Sequence, residues 1–200
     1  SDVYKRQGFR REIAQSRRFI LIMLAPSLVG GAFGAWLVTV DKDAFRTLVP
    51  WLILTAATLF LIQHPISRWM RTHKPNHEPG RLGKAMLLFA QLLIAIYGGY
   101  FGAGIGILML TALGFMGVGD IHRMNGVKTV LATVINGVTV LVFYFFGGDL
   151  IHWRYAGIMA AAAVVGGYVG ARLSRRLPAH VVRMLVIAIG FGLAIYYFTK

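Results

Sequence analysis

The chain has 200 residues, 57% hydrophobic and only 14% charged, and its charges are kept out of several long apolar runs, which excludes an ordinary water-soluble domain and points to a polytopic membrane protein. The formal net charge of +14 raises nucleic acid as a partner, but most basic residues flank apolar runs, where the positive-inside rule accounts for them, and no nucleic acid is expected. There is no cysteine, so disulfides, thiolate metal sites and cysteine nucleophiles are excluded.

Residues 1–18 form a basic lead-in, with Lys5, Arg6, Arg10, Arg11, Arg17 and Arg18 predicting a cytoplasmic position. A basic segment before an apolar run is also how a signal peptide begins, but the run Phe19 to Val40 is longer than a signal core and resembles a mature span. Ser1 stands where a methionine would start the chain, and Ser1 to Gln7 fit no span; an incomplete or processed sequence is expected. A second charge-free run covers Thr47 to Ser67, which makes 19–67 a helix pair. Its connecting loop balances Lys42 and Arg46 with Asp41 and Asp43 and is expected to face outward. Residues 68–84, with Arg68, Arg71, Lys74, Arg81 and Lys84, read as a cytoplasmic linker, and 85–200 as a second unit.

The run from Ala85 to Gly119 is too long for one ordinary span, which takes about 20 residues. Within it, Tyr97 to Met109 carry Gly98, Gly99, Gly102, Gly104 and Gly106. Glycine inside a helix costs about 1 kcal/mol relative to alanine, so this density predicts a break. Two arrangements remain open: a re-entrant hairpin or pair of half-helices turning near Gly98 to Gly106, or one long tilted span. Half-helix N-termini present N–H groups that suit an anion, which makes these five glycines candidate solute-binding positions, with Tyr97 and Tyr100 as hydroxyl donors. Close helix packing through Gly98, Gly102 and Gly106 is the competing reading.

Beyond the loop Asp120 to Lys128, an apolar helix carries Asn125, Thr129, Ala132 and Asn136 at spacings of four, three and four. They form a small polar stripe with Lys128 beside it. Amide and hydroxyl donors with one lysine match the oxygens of an anion; alternatively Asn136 joins two helices and Lys128 snorkels to the headgroups. Two further charge-free runs, Tyr155 to Ala171 and Met184 to Thr199, flank the basic residues Arg172, Arg175, Arg176 and Arg183. The last run is short for a span unless Val181 and Val182 join it.

Leu28-Val29-Gly30-Gly31-Ala32-Phe33-Gly34-Ala35 reappears as Val164-Val165-Gly166-Gly167-Tyr168-Val169-Gly170-Ala171, the mark of an internal duplication. Gly30/Gly34 and Gly166/Gly170, four apart on one face, predict close helix approach. With a hairpin at Ala85 to Gly119 the two copies are inverted, a recurrent transporter plan; with a single span they are parallel. No carboxylate lies inside a charge-free run, and His64 is the single histidine at membrane depth, so no proton relay, metal site or cofactor is expected. Hydrolase, metalloprotease and phosphate-loop motifs are absent, and the chain does not read as an enzyme.

The glycine segment Tyr97 to Met109, followed by Asp120-Ile121-His122-Arg123-Met124-Asn125-Gly126-Val127-Lys128-Thr129, Ile135-Asn136 and the later Gly166 to Ala171, resembles the second half of the sulfite exporter TauE/SafE family, over Ser16 to Lys200. The resemblance implies a multi-pass permease of the bacterial inner membrane that exports small anions such as sulfite or organosulfonates. It also implies about eight spans in two halves, so the counterpart of Ala85 to Gly148 is expected before Ser1; without it, transport would need two copies to assemble. The expectation is therefore an all-α polytopic protein, with inverted repeats left open against parallel ones, a small anionic solute and membrane lipids as partners, and a homo-oligomer as one arrangement. A non-transporting accessory or scaffold subunit is the alternative.

Overall fold

Apolar runs of about twenty residues satisfy their own backbone groups away from water only as helices or closed barrels, and here they are helices. The computed structural model describes residues 17–72, 80–115, 121–148, 152–174 and 178–199. The helices are α1 (Arg17–Val40), α2 (Lys42–Thr72), α3 (Arg81–Tyr100), α4 (Ile105–Phe115), α5 (Ile121–Phe146), α6 (Trp153–Ser174) and α7 (Ala179–Phe198), with no strand among the described residues. Four stretches are long and apolar enough to cross a membrane: Phe19–Val40, Lys42–Ile62, Leu82–Tyr100 and Arg123–Phe146. Most of the basic lead-in, along with Lys74, Asp120, Arg175 and Arg176, lies outside the described residues.

Asp41 alone separates α1 from α2, and its Oδ1 accepts the N–H of Ala44 at 2.8 Å, capping α2 three residues in. The reversal sends α2 back to pack on α7 and α4, and the next helix, α3, then runs parallel to α1. Their contact is backbone on backbone. A β-carbon on Gly30 would stand 2.6 Å from the Leu92 carbonyl oxygen, while one on Gly34 would overlap the Ile96 carbonyl and one on Gly99 the Gly31 carbonyl. One polar tie crosses the same interface, where the Gln91 amide donates to Ser27 Oγ at 2.9 Å and Ser27 donates to the Met23 carbonyl at 2.7 Å, both side chains being buried.

Helix α5 closes the other side of this pair, with Ile135 against both Gly31 and Gly98. Leu87, Met109, Leu113, Leu131 and Ile135 are fully buried where α1, α3, α4 and α5 meet. A second pair, α2 and α7, runs antiparallel: Gly190 faces Ala57, and Trp51 meets Phe198 edge-on with ring centroids 5.0 Å apart.

Helix α6 stands apart. Its Tyr155, Met159, Val164 and Tyr168 are exposed, and nothing described lies within 4 Å of the β-carbon positions of Gly157, Gly166, Gly167 or Gly170. Gly166 and Gly170, expected to pack a neighbouring helix, form a notch that no described helix enters. Gly30 and Gly34, with the same spacing, fill theirs with α3.

Candidate functional site around the α3–α4 turn

Twenty residues of α3 rise about 30 Å, a full hydrocarbon thickness. The helix then stops at Tyr100, where the N–H groups of Phe101 and Gly102 both donate to the Tyr97 carbonyl, at 2.9 and 3.2 Å. Gly102 and Gly104 take φ values of 82° and 81°, a left-handed conformation that side chains disfavour. The chain folds back at once. A β-carbon on Gly98 would sit 3.3 Å from Ile105 Cγ2, although residues seven apart in a continuous helix are about 10 Å apart. Helix α4 then retraces about 16 Å beside α3, from the rise of its 11 residues.

The first turn of α4 leaves donors open. Ile107 and Leu108 donate to the Gly104 carbonyl at 2.9 and 3.3 Å, whereas the N–H groups of Ala103, Gly104 and Gly106 meet no acceptor among the described residues. Lys128 of α5 lies at this end: its Cδ is 3.3 Å, and its Nζ 3.9 Å, from the β-carbon position of Gly106. Helix N-termini carry positive partial charge, so a lysine placed there adds like charge to like. That combination repels cations and attracts an anion. Behind the turn, Leu59 and Ala56 of α2 press on Gly104, and an apolar cavity of about 280 Å³ is lined by Ile53, Ala57 and Phe60 of α2, Phe101 and Ala103 of the turn, and Ile189 of α7.

The polar stripe occupies a different face. At about 100° per residue, Met124, Val127, Leu131 and Ile135 point together into the core, where all four are buried. Thr129 and Asn136 are exposed and Asn125 is partly buried. Lys128 sits on the boundary between the two faces. The Thr129 hydroxyl donates to the Asn125 carbonyl and that of Thr133 to the Thr129 carbonyl, each at 2.8 Å. Among the described residues, no group of His, Cys, Asp or Glu could hold a metal ion.

A family model, sulfite exporter TauE/SafE, matches residues 6–197. The chain belongs to the TauE/SafE family. A "Probable membrane transporter protein" of Haemophilus influenzae is 26% identical over 191 residues, which are 92% of this chain and 69% of that one. No solved structure matches. Family and helices together make this TauE/SafE chain a multi-pass membrane protein of a transporter family.

Within this TauE/SafE chain the structure sets Lys128 against Gly106, ties Tyr97 to the turn that carries Gly102 and Gly104, and places the other expected site residues outside that turn. Gly98 and Gly99 are buried inside α3, pressed by Ile105, Ile135 and the α1 backbone, so they bring helices together rather than offer amides to a solute. Tyr97, expected as a hydroxyl donor to the solute, donates its proton to the Ala103 carbonyl at 2.8 Å, and a phenol has one proton to give. Thr129 and Asn136 lie on the exposed face of α5, beside rather than in the turn. Sequence reasoning passed over Ser27 and Gln91. Gln91 is the lone amide side chain in the run Ala85 to Gly119, and that was the available signal.

Proposed function

We propose that this chain carries a small oxyanion, such as sulfite or an organosulfonate, out across the bacterial inner membrane by secondary transport, holding it at the turn between α3 and α4. The observation that carries the proposal is Lys128 beside Gly106, at a helix start where the N–H groups of Ala103, Gly104 and Gly106 meet no acceptor among the described residues. These donors are fixed in advance by the backbone, so an anion binding there gains hydrogen bonds without ordering side chains. The break forms a re-entrant hairpin, and the two glycine-rich copies are inverted repeats around it. The stripe of Asn125, Thr129 and Asn136 lines the path that leads to the turn.

The test is thermal unfolding of the detergent-purified chain with sulfite, sulfoacetate, sulfate, acetate and chloride at matched ionic strength. A ligand at about 100 times its dissociation constant adds about 2.7 kcal/mol. Selective stabilisation by a sulfur oxyanion, lost in Lys128→Gln, is the expected result; no response to any anion in the wild-type chain overturns the proposal. The bare length of α6 favours one second reading, an accessory or scaffold subunit that acts through a partner. That reading predicts a co-purifying membrane protein and no anion response.

A further inference from the structure

We infer that Tyr97 is the positioning residue of the solute site, aiming the Gly104 N–H by holding the Ala103 carbonyl; the functional part of this inference rests on the anion reading above. Tyr97 grips the turn at both ends. Its main-chain carbonyl accepts the N–H groups of Phe101 and Gly102, and its hydroxyl donates to the Ala103 carbonyl at 2.8 Å. Nothing else described bonds to Ala103, which is exposed and lies between two glycines at positive φ, where the backbone has wide freedom to turn.

A trans peptide is planar, so the Ala103 carbonyl and the Gly104 N–H point in opposite directions. With the carbonyl drawn to Tyr97, the Gly104 N–H is turned outward. Without that hydrogen bond the peptide plane is free to rotate, and the same position then presents a carbonyl oxygen that repels an anion. The ring has what a strut requires. It is partly buried against the core cluster and meets Phe101 with centroids 6.2 Å apart and planes at 62°.

The experiment uses the full chain in detergent, wild type and Tyr97→Phe. With carbonyl-labelled alanine, the solute-free Ala103 carbonyl resonance is expected to lose its hydrogen-bond shift in Tyr97→Phe. In liposomes its KM is expected to rise on the order of tenfold by the same factor for sulfite and for sulfoacetate, with maximal flux within about twofold of wild type. An unchanged Ala103 carbonyl resonance overturns the inference, as does a KM penalty that differs between the two anions, the mark of a hydroxyl that touches the solute. Should the variant not fold, the wild-type chain with carbonyl-labelled alanine decides: an Ala103 carbonyl resonance that shows no hydrogen bond, or loses it on adding sulfite, overturns the inference. A shifted Ala103 carbonyl resonance in Tyr97→Phe, beside a wild-type chain that binds no anion, would remove the anion reading and leave the hold on Ala103 standing.

Discussion

The stem of Lys128 lies across Gly106, with its Cδ 3.3 Å from the point where a β-carbon would stand. Glycine at this position lets a cationic side chain lie flat against the open end of a helix. Any larger residue at position 106 has to displace the lysine.

Gly106→Val is therefore expected to weaken sulfite binding on the order of tenfold by moving the Lys128 ammonium, while the protein stays folded because a flexible stem can shift. Gly106→Ala, whose single carbon needs only a few tenths of an ångström, should bind nearly as wild type. Sulfite titrations followed by thermal unfolding separate the two; equal affinities in Val and wild type would remove Lys128 from the site.

The α1–α3 contact predicts a contrast among glycines of the same repeat. Gly34→Leu forces side-chain atoms into the Ile96 carbonyl, and backbone cannot swing aside; a loss above about 3 kcal/mol is expected. At Gly170 a β-carbon meets nothing described within 4 Å, and Gly170→Leu should change the stability of this chain by no more than about 0.5 kcal/mol. Melting curves in one detergent test both.

Ser27 and Gln91 are not equivalent partners. Ser27→Ala strands a buried amide donor, at about 1–3 kcal/mol, whereas Gln91→Leu leaves Ser27 still donating to Met23 and is expected to cost under about 1 kcal/mol. Denaturation of the two single variants and the double variant checks the order, and the double should cost less than the sum.

Asn136→Leu separates site from scaffold. The residue is exposed on α5, so the melting temperature should hold, with a change below about 0.5 kcal/mol. Sulfite flux into liposomes should be lost if the stripe lines the path. Wild-type flux in this variant would confine the site to the turn.

The glycine density of Tyr97 to Met109 was enough to predict a break, because five glycines within thirteen residues leave a helix little to hold it straight. It could not assign the glycines individually. Gly98 and Gly99 are helical and buried, whereas Gly102 and Gly104 are at positive φ, and both uses need the same absent side chain. The partner of Tyr97 is hidden for a related reason: the Ala103 carbonyl, six residues on, comes within reach only after the chain has turned. Gly166 and Gly170 show the other limit. A repeat reveals that a helix can accept a close neighbour, and Gly30 and Gly34 show one doing so, but the neighbour itself is written elsewhere. Spacing placed Lys128 next to the polar stripe correctly; its reach to Gly106 depended on the return of α4, which no local pattern encodes.

The parallel seating of α1 on α3 has a consequence for biogenesis. Parallel neighbours cannot be made by a hairpin, so α1 has to wait until α2 has crossed back and α3 has crossed again. The Ser27 and Gln91 pair spans 64 residues, which at about 5–20 residues per second of synthesis is about 3 to 13 s. During that interval the groove of Gly30, Gly31 and Gly34 is filled by lipid or by the insertion machinery, and each arrival of α3 has to displace that occupant before the site at the α3–α4 turn can form.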